Sequence, residues 1–106
     1  LWATWCKPCI AEFESLEKSK SNYLDKKVKI VAISNENHDK IQEFIKRREI
    51  DLEFLKLNAD LNYFGAFSLP TTIVFDKEGK ESFRIASGID FASQNFVEKI
   101  LDLEKL

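Results

Sequence analysis

Methionine is absent from these 106 residues, histidine occurs once, cysteine and proline twice each, and glycine three times. Each scarcity excludes something. A closed structural zinc site takes four ligands, commonly all Cys and His. Cys6, Cys9 and His38 supply three within one chain, so no metal is expected. Covalent haem attachment needs a His directly after the second cysteine of a C-x-x-C pair, and Ile10 stands there instead. No apolar run approaches the ~20 residues that cross a bilayer. Nor does a charged start followed by an apolar stretch mark a signal peptide. A chain without an initiator Met reads as a fragment or a processed product, so the lack of a leader is no guide to compartment. Charge of one sign is lacking too. Against 18 acidic residues there are 16 basic ones, a formal net charge of −2 with no basic stripe, and nothing points to nucleic acid.

What is present suits one ordinary globular domain. The chain is 44% hydrophobic and 32% charged, a balance that favours a packed core over disorder. Its length gives one domain over 1–106, with no repeats, low-complexity segments or linkers. From Pro8, "PCIAEFESLEKSKSNYL" reads as a helix with Ile10, Phe13, Leu16, Tyr23 and Leu24 near one face. Proline suits a helix's first turn, where its missing N–H would lack a partner anyway. "VKIVAIS", residues 28–34, is β-branched and nearly all apolar, the pattern of a strand covered on both faces. "NENHDKIQEFIKRRE" begins with capping residues and places Ile41, Phe44 and Ile45 at helical spacing. His38 falls at that helix start, exposed and badly placed to serve either cysteine. "LEFLKL" is a short extended piece, and "ADLNYFGAF" one helical turn ending at Gly65. "TTIVF" and "ESFRIAS" flank "DKEGK", a five-residue turn with glycine where positive φ is wanted, which is a hairpin signal. After Gly88, "IDFASQNFVEKILDLEKL" is amphipathic, with Phe96, Val97, Ile100, Leu101 and Leu103 on the buried side. A parallel pair needs a crossover helix and a hairpin is antiparallel, so the order implies an α/β domain: a mixed central sheet with helices on both faces.

The chemistry concentrates at "LWATWCKPC". Cys6 and Cys9 stand where the chain enters the first helix, three residues apart, and such a pair can close a disulfide with little backbone movement. A helix N-terminus carries partial positive charge and unpaired N–H groups, which favour a thiolate. Cysteines so placed in C-x-x-C motifs have pKa values lowered from ~8.5 to roughly 3.5–7.5. Cys6 is then the attacking sulfur, while Cys9, one turn further in and less accessible, resolves the mixed disulfide. A purely structural bridge is the weaker reading, because closing so short a loop restricts the unfolded chain little.

"LWATWCKPCIAEF", "SLPTTIVFDKEGK" and the following "ASG" resemble the TlpA/ResA-like branch of the thioredoxin superfamily, the bacterial thiol-disulfide oxidoreductases. The resemblance runs over essentially the whole chain, and W-x-x-C with L-P-T-T some sixty residues later is a specific combination. It implies a thioredoxin fold, a redox-active Cys6–Cys9 pair and no cofactor beyond that disulfide. It implies that the Leu69–Pro70 bond is cis and faces the cysteines, so that Leu69 and Thr71 offer main chain to an extended substrate. Glu12, three residues after Cys9 and one turn along the same helical face, becomes a proton relay for the buried thiol. Trp5 would shape a partly apolar docking surface around Cys6 with Lys7 and Pro8 beside it, Lys7 adding positive charge. Trp2 is equally well explained by packing in the core. Family members of this pattern act outside the cytoplasm, in cytochrome c maturation and similar thiol pathways, usually fed electrons by a membrane partner. The expected partners are therefore protein disulfides and a membrane-bound donor, with an N-terminal signal or anchor lying outside these residues.

Two other functions compete with a disulfide reductase. A peroxiredoxin-like peroxidase shares the scaffold, but its pattern wants Thr and Pro upstream and no C-x-x-C; peroxide consumption separates the two. A non-catalytic docking module of a larger chain would have no need of a potential near its compartment's poise, which titration against glutathione decides. One further expectation concerns the sheet. In a thioredoxin fold the residues just before W-x-x-C form a central parallel strand, and only Leu1 and Trp2 remain of it here. The first core strand is therefore largely missing, and a two-residue stub is not expected to pair with 28–34 on one side and 71–75 on the other. An upstream segment or a second chain would fill the gap, since unpaired buried backbone groups cost roughly 1–3 kcal/mol each.

Overall fold

Proline in its first turn and a cysteine at its cap start the first helix where the sequence places it. In the computed structural model, which describes residues 1–106, α1 spans Lys7–Ser19 and buries Cys9, Glu12 and Phe13. A 3₁₀ turn, Lys20–Tyr23, carries it on and buries Tyr23. The strand β1 (Val31–Ser34) follows, then α2 (His38–Arg48), whose cap is Asn37: its Oδ1 accepts from the Asp39 N–H at 2.8 Å. Ile41 and Phe44 are the buried face of α2. The extended piece is β2 (Glu53–Lys56), parallel to β1 with Val31 opposite Glu53 and Ser34 opposite Lys56. A second 3₁₀ turn, Leu61–Phe64, closes at Gly65, whose φ of +71° is a left-handed cap that suits glycine. No helix is long and apolar enough to cross a membrane.

The hairpin pairs β3 (Thr72–Phe75) with β4 (Glu81–Ile85) antiparallel, with an irregularity in register between Val74 and Phe75. In its turn Gly79 takes φ +81°, while Asp76 Oδ1 accepts from the Glu78 and Lys80 amides at 2.9 and 3.0 Å. Ser93 caps α3 (Gln94–Lys105), which buries Val97 and Ile100.

Two expectations need correcting. The strand expected over 28–34 is paired only from Val31, because β2 begins at Glu53, opposite Val31, and offers nothing to residues 28–30. Val28 and Ile30 instead pack beside Tyr23, Val97 and Ile100. The second correction concerns Leu1 and Trp2, which do reach both flanks. The Leu1 amine donates to the Thr71 carbonyl at 2.7 Å, and the Trp2 N–H donates to the Ile33 carbonyl at 3.0 Å. Two residues supply one bond to each side and no more. The mixed sheet is accordingly present as two pairs, β1–β2 and β3–β4, without a ladder between them. A groove of about 440 Å³ lies at this seam, lined mainly by apolar side chains such as Leu1, Ile30, Ile33 and Val74.

Packing follows the same division. Trp2 sits among aromatic rings, with centroids 5.1 Å from Phe13, 5.2 Å from Phe44 and 5.4 Å from Phe54. Cys6, Cys9, Ala3, Ala32 and Ile41 complete that cluster, and Leu69 packs against it. Tyr23, Val97 and Ile100 form a second, smaller one under the hairpin.

Candidate active site

A turn closed by the Cys6 N–H on the Ala3 carbonyl, at 3.0 Å, delivers the chain into α1. Cys6 is the helix cap, in extended backbone at φ −92° and ψ 98°, and its Sγ accepts from the Cys9 N–H at 3.3 Å. The sulfur therefore occupies the place a Ser or Asp side chain takes at other helix starts, facing donors that would otherwise be orphaned. Cys6 and Cys9 are joined as a disulfide with Cα atoms 5.3 Å apart, and no cysteine is free. Cys9 is 1% exposed and Cys6 4%, so the bridge is covered, the inner sulfur most of all.

The surroundings differ on the two sides of the bridge. Outward, Trp5 is 70% exposed directly before Cys6, with Lys7 and Pro8 exposed behind it. Inward, Cys9 and Glu12 both line the groove between the two strand pairs. Glu12 is 8% exposed and accepts one hydrogen bond there, from the Ile89 N–H to Oε2 at 2.9 Å. Burial pushes its carboxyl above the usual carboxylate range, with the Ile89 bond and the charge of the Leu1 amine opposing the rise. A carboxyl displaced in this direction, one helical turn from a buried sulfur, can hold a proton that a thiol gives up.

The Leu69–Pro70 bond is cis. Leu69 packs against the cluster that contains both cysteines, and Pro70 is buried. Thr71 is 2% exposed, its hydroxyl donating to the Ser68 carbonyl at 2.6 Å and its own carbonyl accepting from Leu1. Its side chain is thus engaged inside the protein. Trp2 belongs wholly to the core. His38 is exposed at the start of α2, beside Asp39.

Sequence reasoning missed two attachments of this site. Ser15, one turn beyond Glu12, accepts the Phe91 N–H at 3.1 Å, so Glu12 and Ser15 together hold the loop between β4 and α3 on α1. Their i, i+3 spacing was the available signal. Glu36 reaches from the end of β1 to Thr4, in the turn before Cys6. Its signal was its place just beyond the carboxyl end of a parallel strand, where α/β sheets gather functional groups.

A family profile matches residues 1–81, which include the turn, the cysteine pair and the cis proline. The chain belongs to the AhpC/TSA family. It is 33% identical over 84 residues to the thiol-disulfide oxidoreductase ResA of Bacillus thuringiensis subsp. konkukian, over 74% of this chain and 47% of the relative. It is 30% identical over 108 residues to ResA of Halalkalibacterium halodurans, over 98% of this chain and 59% of the relative. The chain therefore spans about half the length of the curated relatives it matches. A Chlorobium tepidum crystal structure, provisionally described as the thiol:disulfide interchange protein DsbE, superposes with a TM-score of 0.82 at 19% identity, over 96% of this chain and 74% of that one. The likeness fixes the fold as thioredoxin-like, as the paired sequence motifs implied.

Proposed function

We propose that this domain is a thiol-disulfide oxidoreductase that reduces disulfides in other proteins through Cys6 and Cys9. The observation that carries the proposal is Cys6 itself: a sulfur at a helix cap, receiving the Cys9 N–H and able to close on Cys9. Relatives named thiol-disulfide oxidoreductases support it. In the reduced protein the Cys6 thiolate attacks one sulfur of a substrate disulfide, forming a mixed disulfide and expelling the other substrate sulfur as thiolate. Cys9 then attacks Cys6 Sγ, which closes the Cys6–Cys9 bridge and releases the second substrate sulfur. Two electrons pass to the substrate, and an external dithiol must return them. Glu12 takes the Cys9 proton in the second step. Trp5, Lys7 and Pro8 border the exposed side where a protein substrate docks, and main chain at Leu69–Pro70 borders the other. No group beyond the disulfide is required.

The proposal extends to setting. The domain works outside the cytoplasm, in a thiol pathway such as cytochrome c maturation, with a membrane-bound donor. The decisive test uses the intact protein. Cys9→Ser should accumulate a mixed disulfide between Cys6 and a protein substrate, seen by non-reducing electrophoresis and mass, whereas Cys6→Ser should lose reductase activity and trap nothing. Trapping by Cys6→Ser would exchange the two roles, and activity without Cys6 would end the proposal.

A further inference from the structure

The carboxylate of Glu36 is held by four donors, two on each oxygen. Oε1 accepts from the Thr4 backbone N–H at 2.6 Å and from the Ser34 hydroxyl at 3.2 Å. Oε2 accepts from the Thr4 hydroxyl at 2.8 Å and lies 3.3 Å from Lys40 Nζ. The Glu36 N–H in turn donates to Ser34 Oγ at 3.2 Å, and Ser34 is fully buried. The side chain is 11% exposed, so the group is a nearly buried ion whose every lone-pair direction is aimed at a partner. Burial alone would raise its pKa, but the bonds from Thr4, Lys40 and Ser34 outweigh it and hold the carboxyl below the usual range.

Nothing in α2 requires this arrangement. The helix cap is already provided by Asn37, which accepts the Asp39 N–H. Instead, both polar groups of Thr4 are spent on Glu36, and Thr4 lies inside the turn that Cys6 closes on Ala3. Thr4 and Trp5 are the two middle residues of that turn, and Trp5 is its exposed side chain. A two-point clamp on residue 4 fixes the turn's rotation, which sets where the Cys6 sulfur and the Trp5 ring point. Ser34 and Lys40 brace the clamp from β1 and α2, elements that belong to the densely packed part of the molecule.

We infer that Glu36 is a positioning residue for thiol-disulfide exchange, holding the Thr4–Trp5 turn so that Cys6 stays aligned at the start of α1. This rests on the exchange chemistry proposed above. Small displacements of a reacting sulfur are costly to rate: a misplacement of about 1 Å can lose up to ~100-fold. Freed from its clamp, the turn would also align Cys6 less well with the Cys9 N–H. The reduced form would lose stabilisation, and equilibrium with glutathione would move towards the disulfide.

The test compares Glu36→Ala, Glu36→Gln and Cys6→Ser in the intact protein. Insulin reduction with dithiothreitol reads the rate, and a glutathione redox buffer reads the exchange constant. Glutamine keeps an oxygen for the Thr4 N–H, so it should preserve most of the positioning while removing the charge. Glu36→Ala should lower kcat/KM about tenfold and shift the exchange constant towards the disulfide about threefold, with E36Q within about threefold of wild type in rate. If E36A lowers the melting temperature but leaves both readouts at wild-type values, Glu36 is a structural brace only and the inference fails. If E36Q is as impaired as E36A, the loss follows the charge and not the clamp, and the inference fails as well. Cys6→Ser separates the two levels: should it retain activity, the proposed chemistry itself is wrong, whatever Glu36 does.

Discussion

Trp2 and seven other buried residues from the N-terminal turn, α1, β1 and α2 lock into one aromatic-rich cluster, whereas only three buried residues hold α3 and the hairpin to the 3₁₀ turn after α1. The disulfide is built into the first of these regions, with both sulfurs members of the cluster. Leu69 packs against this same cluster, while the Ile89 and Phe91 amides reach α1 through Glu12 and Ser15. Under the exchange chemistry proposed above, Cys6 sits in the more densely packed region, and the Ile89–Phe91 loop is tied to it by two hydrogen bonds to α1 side chains. The sulfur must be aligned to within a fraction of an ångström, while a segment that accommodates a substrate gains from yielding.

Phe13→Ala strikes the dense cluster, removing a ring that touches both Trp2 and Phe54, and should cost about 3–5 kcal/mol of unfolding free energy. Against a typical total of about 5–15 kcal/mol this approaches global unfolding in denaturant titration. A loss below about 1 kcal/mol would mean that the cluster around the disulfide carries little of the stability.

A matched pair sharpens the contrast. Ile41 on α2 and Ile100 on α3 are 5% and 9% exposed, and replacing either by Val deletes the same methylene. Such changes cost about 0.5–1.5 kcal/mol, and the cost depends on how far neighbours can collapse into the vacancy. Ile41→Val should fall near the upper end of that span and Ile100→Val near the lower, because the smaller cluster borders an open groove and can adjust. Equal losses would remove the distinction between the two regions.

The sequence made the denser region the easier to read. Pro8, the two cysteines and the spacing of Ile41 and Phe44 are local signals, and each turned up in the element expected of it. The thioredoxin fold was legible from W-x-x-C and L-P-T-T taken together. Less legible were the features that depend on what lies alongside. Residues 28–30 have the composition of a strand but no partner opposite them, and composition reports propensity, not pairing. Glu36 and Ser15 went unremarked, since their partners Thr4 and Phe91 lie 32 and 76 positions away.

The subtlest test lies on the seam itself, at Glu12, where the dense region reaches across to Ile89. Burial raises this carboxyl's pKa above its ordinary 4.5, so the folded protein favours the protonated form more than the unfolded chain does. The sign follows. The contribution of Glu12 to stability is fully present below about pH 4.5 and is lost as pH rises through the higher folded value, where the buried group must ionise. Glu12→Gln cannot ionise and keeps an oxygen for the Ile89 N–H. The two proteins should therefore be similarly stable in acid, with the glutamine variant gaining on wild type as pH rises towards neutrality, read from denaturant midpoints at matched pH. A gap that closed with rising pH would show Glu12 held as a carboxylate, and the role of proton acceptor for Cys9 would lose its physical basis. With the gap opening as expected, the same substitution should slow the second exchange step, in which Cys9 gives up its proton, and leave the first attack by Cys6 unchanged. The rigid region would then supply the nucleophile, and the seam would time its release.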